Sequence, residues 1–250
     1  MGVNSLPWYF LPTLEETDTT VSLAGDEWHH CYHVLRMGEG DTLLLFNGTG
    51  ICMEGLIKMA TKNEGTIELT HDHSATFQGL RLYRLTVAFA PTKNIDRTEF
   101  AVEKLVELGV DEICFLDCDH SERAHLRLDR MEKIVLSAAK QSRKARLPIL
   151  RDLISPNRLI THFKNEQPDT QVFCCHLDNS SSPLVENYIP PHDVLMLIGP
   201  EGGFSVEETE QMSLRGGKMV TIGPYRLRVE TAAVAACSAI HLLNELKKQS

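Results

Sequence analysis

Two short segments have residue types and spacing suited to ligand chemistry. The first, Gly199-Pro200-Glu201-Gly202-Gly203, follows the apolar run Val194–Ile198 and precedes a helix start marked by Ser205. Three glycines in five positions let the backbone approach a ligand closely and permit positive φ. The segment has neither the G-x-G-x-x-G spacing nor the Lys-Ser/Thr of a phosphate loop. It therefore predicts either a tight turn or a loop against a nucleotide-like ligand without a bound phosphate.

The second segment is Ile222-Gly223-Pro224-Tyr225-Arg226-Leu227-Arg228-Val229-Glu230-Thr231-Ala232. In it a Gly-Pro turn follows a strand, and two arginines and a glutamate precede an Ala-rich helix. Such an Arg and Glu form a structural ion pair, unless the turn lies beside the glycine loop, where they can act on a ligand. Ligands of open α/β sheets bind beyond the carboxyl ends of strands. Both interpretations remain open from these residues alone.

The chain from Leu80 onward is the part that must position these segments, and in it strands alternate with helices. Capping boxes predict helix starts at Asp96 and Ser205, and a final helix runs from about Glu230 to Lys247. Alternation of this kind predicts a mostly parallel α/β sheet. The predicted strands are Leu82–Ala90, Glu112–Leu116, Gln171–His176, Val194–Ile198 and Met219–Ile222.

The first third of the chain predicts a separate β-rich domain. Its strands, Thr42–Phe46, Cys52–Met59 and Thr66–Thr70, are separated by turn signals at close spacing, and one helix near Asp26–Met37 precedes them. This pattern favours a small barrel or sandwich. A polar stretch that begins at His71 marks the boundary, and we predict domains at residues 1–76 and 77–250.

Charge is distributed unevenly along the chain. The 250 residues include 25 Lys and Arg against 34 Asp and Glu, a net charge of −9. Residues 120–151, the basic segment, hold nine basic and three acidic residues, whereas the other 218 residues hold 16 basic and 31 acidic. The basic segment is either a solvated helix face or a surface that contacts phosphates, whose binding would weaken with salt. The excess of basic over acidic residues in this segment favours phosphate contact. Its helical cations off the apolar face are Arg130, Lys133, Lys140 and Lys144.

Other features exclude several classes of protein. The seven cysteines have no C-x-x-C spacing and predict small buried side chains in a reducing compartment. The longest apolar stretch, around Ala232 to Leu243, is too short for a bilayer span of about 20 residues. His29 and His33 lack a third ligand at a suitable spacing, so we predict no metal site. We expect a soluble, cytoplasmic protein without a membrane partner.

Three further segments make a family resemblance specific. They are His30…Val34-Leu35-Arg36…Gly40-Asp41, Lys93-Asn94-Ile95-Asp96-Arg97 and Ala139-Lys140-Gln141-Ser142-Arg143…Pro148. With the two segments above, and in this order, the chain from about Trp8 to Leu246 closely resembles the ribosomal small subunit RNA methyltransferase E family (RsmE). Members are S-adenosylmethionine-dependent enzymes that methylate N3 of a uridine in 16S rRNA. The resemblance implies an α/β fold with an N-terminal PUA-like β-barrel, a C-terminal SPOUT methyltransferase domain with a trefoil knot, and a homodimer.

The resemblance also implies roles for particular residues. Arg228 is our candidate to stabilise charge developing on the uracil oxygens, and Glu230 to orient Arg228 or accept a proton. We expect Lys93 and Arg97 at RNA phosphates or at a dimer contact. The implied donor-binding residues are His176, Leu177, Gly199, Glu201, Gly202, Gly203, Ile222, Gly223 and Leu227. The expected RNA-binding residues are Arg36, Lys93, Arg97, Arg123, Lys140, Arg143 and Arg146.

Two other functions compete with uridine N3 methylation. One is another SPOUT reaction such as ribose 2′-O-methylation, and the other is an RNA-binding assembly factor that lost the chemistry. The chain also departs from the family pattern in three places. Residues 1–11 contain no basic residue, and Pro224-Tyr225 stand where other residues are common. The usual Glu-Gln-Ser-Arg run reads Lys140-Gln141-Ser142-Arg143.

Overall fold

The computed structural model describes residues 3–77, 79, 81–122, 125–178 and 181–248. The chain divides into two units. Unit 1 comprises Met1–Leu80 and Ala139–Leu147, and unit 2 comprises Arg81–Ala138 and Pro148–Ser250. The domain ranges 1–76 and 77–250 stay a prediction.

Unit 1 is built on a five-stranded sheet with the strand order β1-β3-β4-β5-β2. Its β1 and β3 pair in parallel, and the other neighbours pair antiparallel. The predicted helix near Asp26 is a short α-helix that continues into a π-helical turn, His30–Val34. The strands are β1 Trp8–Phe10, β2 Thr20–Ala24, β3 Thr42–Phe46, β4 Cys52–Ala60 and β5 Glu64–Asp72, and the helices are α1 Gly25–His29 and α2 Ser74–Phe77.

The core of unit 1 forms around a tryptophan and an apolar strand. Residues 43–46 of β3 are completely buried, as is Cys31. Trp28 of α1 lies against Gly65 of β5, where a Cβ atom would approach the indole ring to 2.3 Å. Trp28 Nε1 donates a hydrogen bond to the Thr61 carbonyl at 2.9 Å. Gly65 is therefore required for close packing of α1 on the sheet.

Unit 2 contains a seven-stranded sheet whose neighbouring strands are all parallel among the described residues, in the order β10-β12-β9-β11-β6-β7-β8. This confirms the predicted parallel α/β sheet. The strands are β6 Leu85–Phe89, β7 Glu112–Leu116, β8 Ile149–Ile154, β9 Gln171–Cys175, β10 Ser182–Pro183, β11 Val194–Ile198 and β12 Lys218–Thr221. The helices are α3 Ile95–Leu108, α4 Leu128–Ser142 (in unit 1 from Ala139), α5 Pro156–Glu166, α6 Leu184–Asn187, α7 Val206–Leu214 and α8 Val229–Lys248.

Two helix starts were predicted in unit 2, and the prediction is correct for α7 and wrong for α3. Helix α7 has the predicted capping box, with the Ser205 side chain accepting from Glu208 N and the Glu208 side chain accepting from Ser205 N. Helix α3 begins earlier than predicted, because the Asn94 side chain accepts from Asp96 N at 3.1 Å and Asn94 is the N-cap. Asp96 instead lies in the first turn, where its negative charge suits the positive end of the helix dipole.

Strand register brings three loops to one edge of this sheet. Ile198, the last residue of β11, pairs with Cys175 at the end of β9, and Val220 of β12 also pairs with Cys175. Because these strands are parallel, their carboxyl ends lie side by side. The loops that begin at His176, Gly199 and Ile222 therefore open on the same edge of the sheet.

Two further expectations concern the chain as a whole. All seven cysteines are free thiols, six of them buried and Cys175 partly buried, as predicted. None of the helices that the structure describes is both long and apolar enough to cross a membrane.

Candidate functional site

A cavity of about 550 Å³ lies at the carboxyl ends of β9, β11 and β12 in unit 2. Its walls come from the three loops that follow these strands. All nine predicted donor-binding residues line it, as does Arg228. A volume of this size is typical of a small-molecule site, for which the usual range is about 300–1,000 Å³. The structure thus brings together residues that lie up to 52 positions apart, from His176 to Arg228.

The glycine loop, Gly199–Gly203, is both a tight turn and a wall of the cavity. A Cβ atom at Gly199 would lie 3.2 Å from the backbone nitrogen of Phe204. Gly203 has a φ of 76°, in the left-handed region that favours glycine, and its amide donates to the Pro200 carbonyl at 2.8 Å. Glycine is thus required at Gly199 by close packing and favoured at Gly203 by the backbone conformation of a bend that lines the cavity.

Residues that follow β7 hold the glycine loop in place. The Ser205 hydroxyl donates to the Asp119 carboxylate at 2.5 Å, and the Asp119 amide donates to the Glu208 carboxylate at 3.1 Å. The His120 ring nitrogen Nδ1 lies 3.1 Å from the Gly203 carbonyl oxygen. Sequence reasoning missed Asp119 and His120, because they lie more than 80 residues from their partners and carry no motif.

The third loop, Ile222–Arg228, is tied to the glycine loop. The Arg226 guanidinium donates through Nη2 to the Glu201 carbonyl at 2.9 Å. Arg228 is exposed at the cavity wall, one residue before α8 begins. Five other residues of the two segments singled out in the sequence also line the cavity: Pro200, Tyr225, Arg226 and, in the first turn of α8, Val229 and Ala232. The wall residues that were not predicted lie at strand ends and beside the glycine loop, and they are Cys175, Ile198, Phe204 and Val220.

Glu230 is not among the residues that line the cavity. It is buried in the first turn of α8, with Oε1 3.8 Å from Arg97 Nε. Its other oxygen, Oε2, is buried and has no hydrogen-bond partner among the described residues. Arg97, predicted to bind RNA, is thus placed beside this carboxylate. The unpaired oxygen retains the capacity to accept a proton or a hydrogen bond.

The thiol of Cys175 lies in the cavity wall but is not a nucleophile. Burial raises its pKa to about 12. The thiol form therefore predominates at neutral pH, and the thiolate is the reactive species of cysteine. The cavity can provide an apolar sulfur contact at this position but no covalent catalysis.

Acidic partners neutralise part of the basic segment. In unit 2, Arg130 pairs with Glu99, and Arg151 pairs with the buried Glu112, whose hydrogen bond raises the pKa of Arg151. Lys93, outside the segment, pairs with Glu122 at 2.9 Å, which raises the pKa of Lys93. The positive charge counted along the sequence is therefore larger than the positive charge that remains available to contact phosphates. Arg123 lies outside the described residues.

The other predicted RNA-binding residues belong to unit 1. Lys140 pairs with Glu27 at 2.8 Å. Arg36 and Arg143 adopt left-handed backbone conformations, with φ of 55° and 57°, and Arg143 Nη1 is buried without a hydrogen-bond partner among the described residues. Arg36 and Arg146 are exposed, and the backbone of Arg146 pairs with Gly48. Among these four, Arg36 and Arg146 are the most accessible to RNA.

Comparisons with known proteins agree with both units. Residues 80–241 match the model of an RNA methyltransferase domain, and residues 23–70 match that of an RNA methyltransferase PUA domain. The ribosomal RNA small subunit methyltransferase E of Mycobacterium tuberculosis is 28% identical over 243 residues, which cover 94% of this chain and 91% of that protein. The protein of the same name from Bacillus subtilis is 27% identical, over 92% of this chain and 93% of its own.

Two crystal structures resemble the whole chain. A "probable rRNA-methyltransferase" from Porphyromonas gingivalis is 37% identical and has a TM-score of 0.86, over 97% of this chain and 100% of its own. The ribosomal RNA small subunit methyltransferase E of Neisseria gonorrhoeae, bound to S-adenosylmethionine, is 26% identical with a TM-score of 0.84, over 95% and 98%. The predicted fold class, a PUA-like domain followed by a SPOUT-type methyltransferase domain, is confirmed, and the trefoil knot stays a prediction. The chain belongs to the ribosomal RNA small subunit methyltransferase E family.

Proposed function

We propose that this protein transfers a methyl group from S-adenosylmethionine to N3 of a uridine in the 16S rRNA of the small ribosomal subunit. The supporting observation is the convergence of the nine donor-binding residues on one cavity, in a chain of this family. The relative from Neisseria gonorrhoeae is bound to S-adenosylmethionine, which supports the same donor for this chain.

The cavity suits an adenosyl ligand. Buried Ile198, Val220 and Phe204 provide apolar walls, and the glycine loop presents backbone groups without side chains in the way. We assign donor binding to the nine residues named above, with the Arg226–Glu201 contact holding two of the loops together. When bound, the donor supplies a sulfonium methyl group, and transfer breaks the S–CH3 bond, forms the N3–CH3 bond and releases the N3 proton.

The acceptor chemistry requires charge stabilisation. Uracil N3 carries a proton at neutral pH and becomes nucleophilic when that proton leaves, so negative charge develops on the uracil oxygens. Arg228, exposed in the cavity wall, is assigned to stabilise that charge. Glu230 lies outside the cavity wall and its Oε2 is buried, so it is assigned to orient an arginine, and water to accept the proton. Arg97, beside Glu230, positions the carboxylate.

Recognition of the RNA involves exposed cations. Arg36 and Arg146 of unit 1 are exposed, and Lys93 of unit 2 is exposed although paired with Glu122. Each phosphate contact releases counterions and makes binding weaken with salt. We also propose roles for Arg123, Lys140 and Arg143 as the resemblance implies.

We further propose that the protein works as a homodimer in the cytoplasm, where the small ribosomal subunit is found. Exposed Leu242 on α8 and Ile189 after α6 leave apolar surface in unit 2, which favours association of copies. Sedimentation equilibrium tests this proposal, with a dimer mass expected and a monomer mass contradicting it.

The proposed reaction is tested on small-subunit particles from a strain that lacks the protein. Incubation with the purified protein and S-adenosylmethionine is expected to introduce one methyl group at a uridine N3. That methyl blocks Watson–Crick pairing and stops reverse transcription, whereas a ribose 2′-O-methyl leaves pairing intact. A ribose product would make this protein a different SPOUT enzyme. Absence of donor binding by calorimetry would make it a non-catalytic assembly factor.

A further inference from the structure

The outermost residue of the third cavity loop is an aromatic that nothing in the unit covers. The Tyr225 side chain is 80% exposed, and it lines the cavity mouth. Among the Phe, Tyr and Trp side chains in the part of the chain described here, only one other, Phe100, is exposed, at 47%. No ring contact among the described residues involves Tyr225. The ring is therefore available to a planar partner that arrives at the cavity.

The backbone on both sides of this ring is restrained. Pro224 precedes it, and a proline fixes φ near −65°. Arg226 follows it and is anchored by its guanidinium to the Glu201 carbonyl at 2.9 Å. A restrained position lowers the entropy that a ring loses when a partner stacks on it. The backbone that carries the exposed ring is thus restrained at the cavity before any partner binds.

The position of the ring within the cavity favours the acceptor over the donor. The buried part of the wall is made by Ile198, Gly199 and Val220, on the side where the donor is assigned. Tyr225 lies at the exposed rim, and Arg226 and Arg228 beside it are also exposed. An exposed aromatic flanked by cations is typical of surfaces that bind unpaired nucleic acid, in which a base stacks on the ring and the cations meet the phosphates.

We propose that Tyr225 stacks on the acceptor uracil, or on the base next to it, and holds the unpaired nucleotide at the cavity mouth. This inference rests on the proposed function, since it takes an RNA base as the partner. Stacking requires the aromatic face and not the hydroxyl group. Tyr225 is accordingly a positioning residue that contacts the RNA and adds no proton transfer.

The test is a set of substitutions at Tyr225 that distinguishes the contribution of the aromatic face from those of side-chain size and of the hydroxyl group. Tyr225→Phe keeps the face, Tyr225→Leu keeps an apolar side chain without the face, and Tyr225→Ala removes both. We expect Phe to match the natural protein and Leu and Ala to raise the KM for small-subunit particles about tenfold, the range for loss of one base stack. We expect kcat to change less than twofold and the Kd for S-adenosylmethionine to stay unchanged. Leu214→Ala, at an exposed residue of α7 outside the cavity, is the matched control.

Three results would overturn the inference: an unchanged KM in Tyr225→Ala, a KM for Tyr225→Leu equal to that of the natural protein, or a loss of donor affinity as large as the rise in KM. Failure of the proposed function is recognised separately. If the natural protein forms a ribose product or none, the affinity of the same variants for the particles, measured by filter binding, still decides whether the ring stacks on RNA.

Discussion

The cavity of unit 2 and the basic segment are built on different physical principles. The cavity is formed by loops at the ends of three parallel strands, and hydrogen bonds such as Ser205–Asp119 and Arg226–Glu201 hold those loops. The basic segment consists of long cationic side chains, several of which pair with acids from elsewhere in the chain. The geometry of the cavity thus depends on hydrogen bonds between its own loops, whereas a charged surface depends on which cations remain unpaired.

The largest expected effect comes from adding a side chain to the glycine loop. Gly199→Val places a Cβ atom about 3.2 Å from Phe204 N, so the loop backbone must shift. A shift of this kind in a site assembled by backbone is expected to raise the Kd for S-adenosylmethionine about a hundredfold. Calorimetry measures it, with Gly38→Ala as control, because a Cβ there meets nothing within 4 Å. An unchanged Kd would show that the cavity tolerates loop movement.

The next largest effect is expected from removing one charged side chain of the cavity wall, that of Arg228. Arg228→Ala removes the cation assigned to the uracil oxygens, and single-turnover methylation is expected to slow about a hundredfold. The affinity for S-adenosylmethionine, measured by calorimetry, is expected to stay unchanged. Undiminished methylation would remove Arg228 from the mechanism.

A smaller effect tests the hydrogen bonds that hold the cavity. Ser205→Ala removes the N-cap of α7 and the contact to Asp119, and should lower the free energy of unfolding by about 1 kcal/mol. Urea titration measures this change. Ser213→Ala in the same helix is the control, because its hydroxyl donates to the Thr209 carbonyl within the helix. Equal losses in both variants would mean that Ser205 has no special role.

The smallest expected effect is on the salt dependence of RNA binding, and it distinguishes paired from exposed cations within unit 1. Arg146→Ala is expected to reduce the slope of log binding constant against log salt by about 1. Lys140→Ala should leave that slope nearly unchanged, because Lys140 already pairs with Glu27. Filter binding of small-subunit particles at several salt concentrations measures both. The reverse order would mean that RNA displaces Glu27.

Strand positions, and hence the cavity, could largely be predicted from the sequence. Val194–Ile198 and Glu112–Leu116 have the predicted bounds, because a short apolar run bounded by turn residues suits a strand covered on both faces. The convergence of His176, Gly199 and Ile222 then follows from parallel pairing together with the strand order β12-β9-β11, which the sequence did not give. Edge strand β8 was not predicted, since Arg151 and Asp152 interrupt its apolar pattern.

Ion pairs between side chains that lie far apart in the chain could not be predicted from the sequence. Lys140 and Glu27 lie 113 residues apart, and Arg151 and Glu112 lie 39 apart, so nothing local marks them. Glu230 beside Arg97 is a further example, since each belongs to a different segment with its own assigned role. Such contacts depend on the tertiary arrangement, which composition and periodicity do not describe.

The hydrogen bonds of Ser205 link the end of the loop between β11 and α7 to the first turn of α7, so we expect the motions of the two to be coupled. It lies two residues after the glycine loop and caps α7, and its hydroxyl donates to Asp119 after β7. A ligand that steadies the glycine loop must also steady the first turn of α7, because the same hydrogen bonds hold both. Amide hydrogens of Ser205, Glu208 and Asp119 should then exchange with solvent deuterium as one cooperative group, and S-adenosylmethionine should slow all three together.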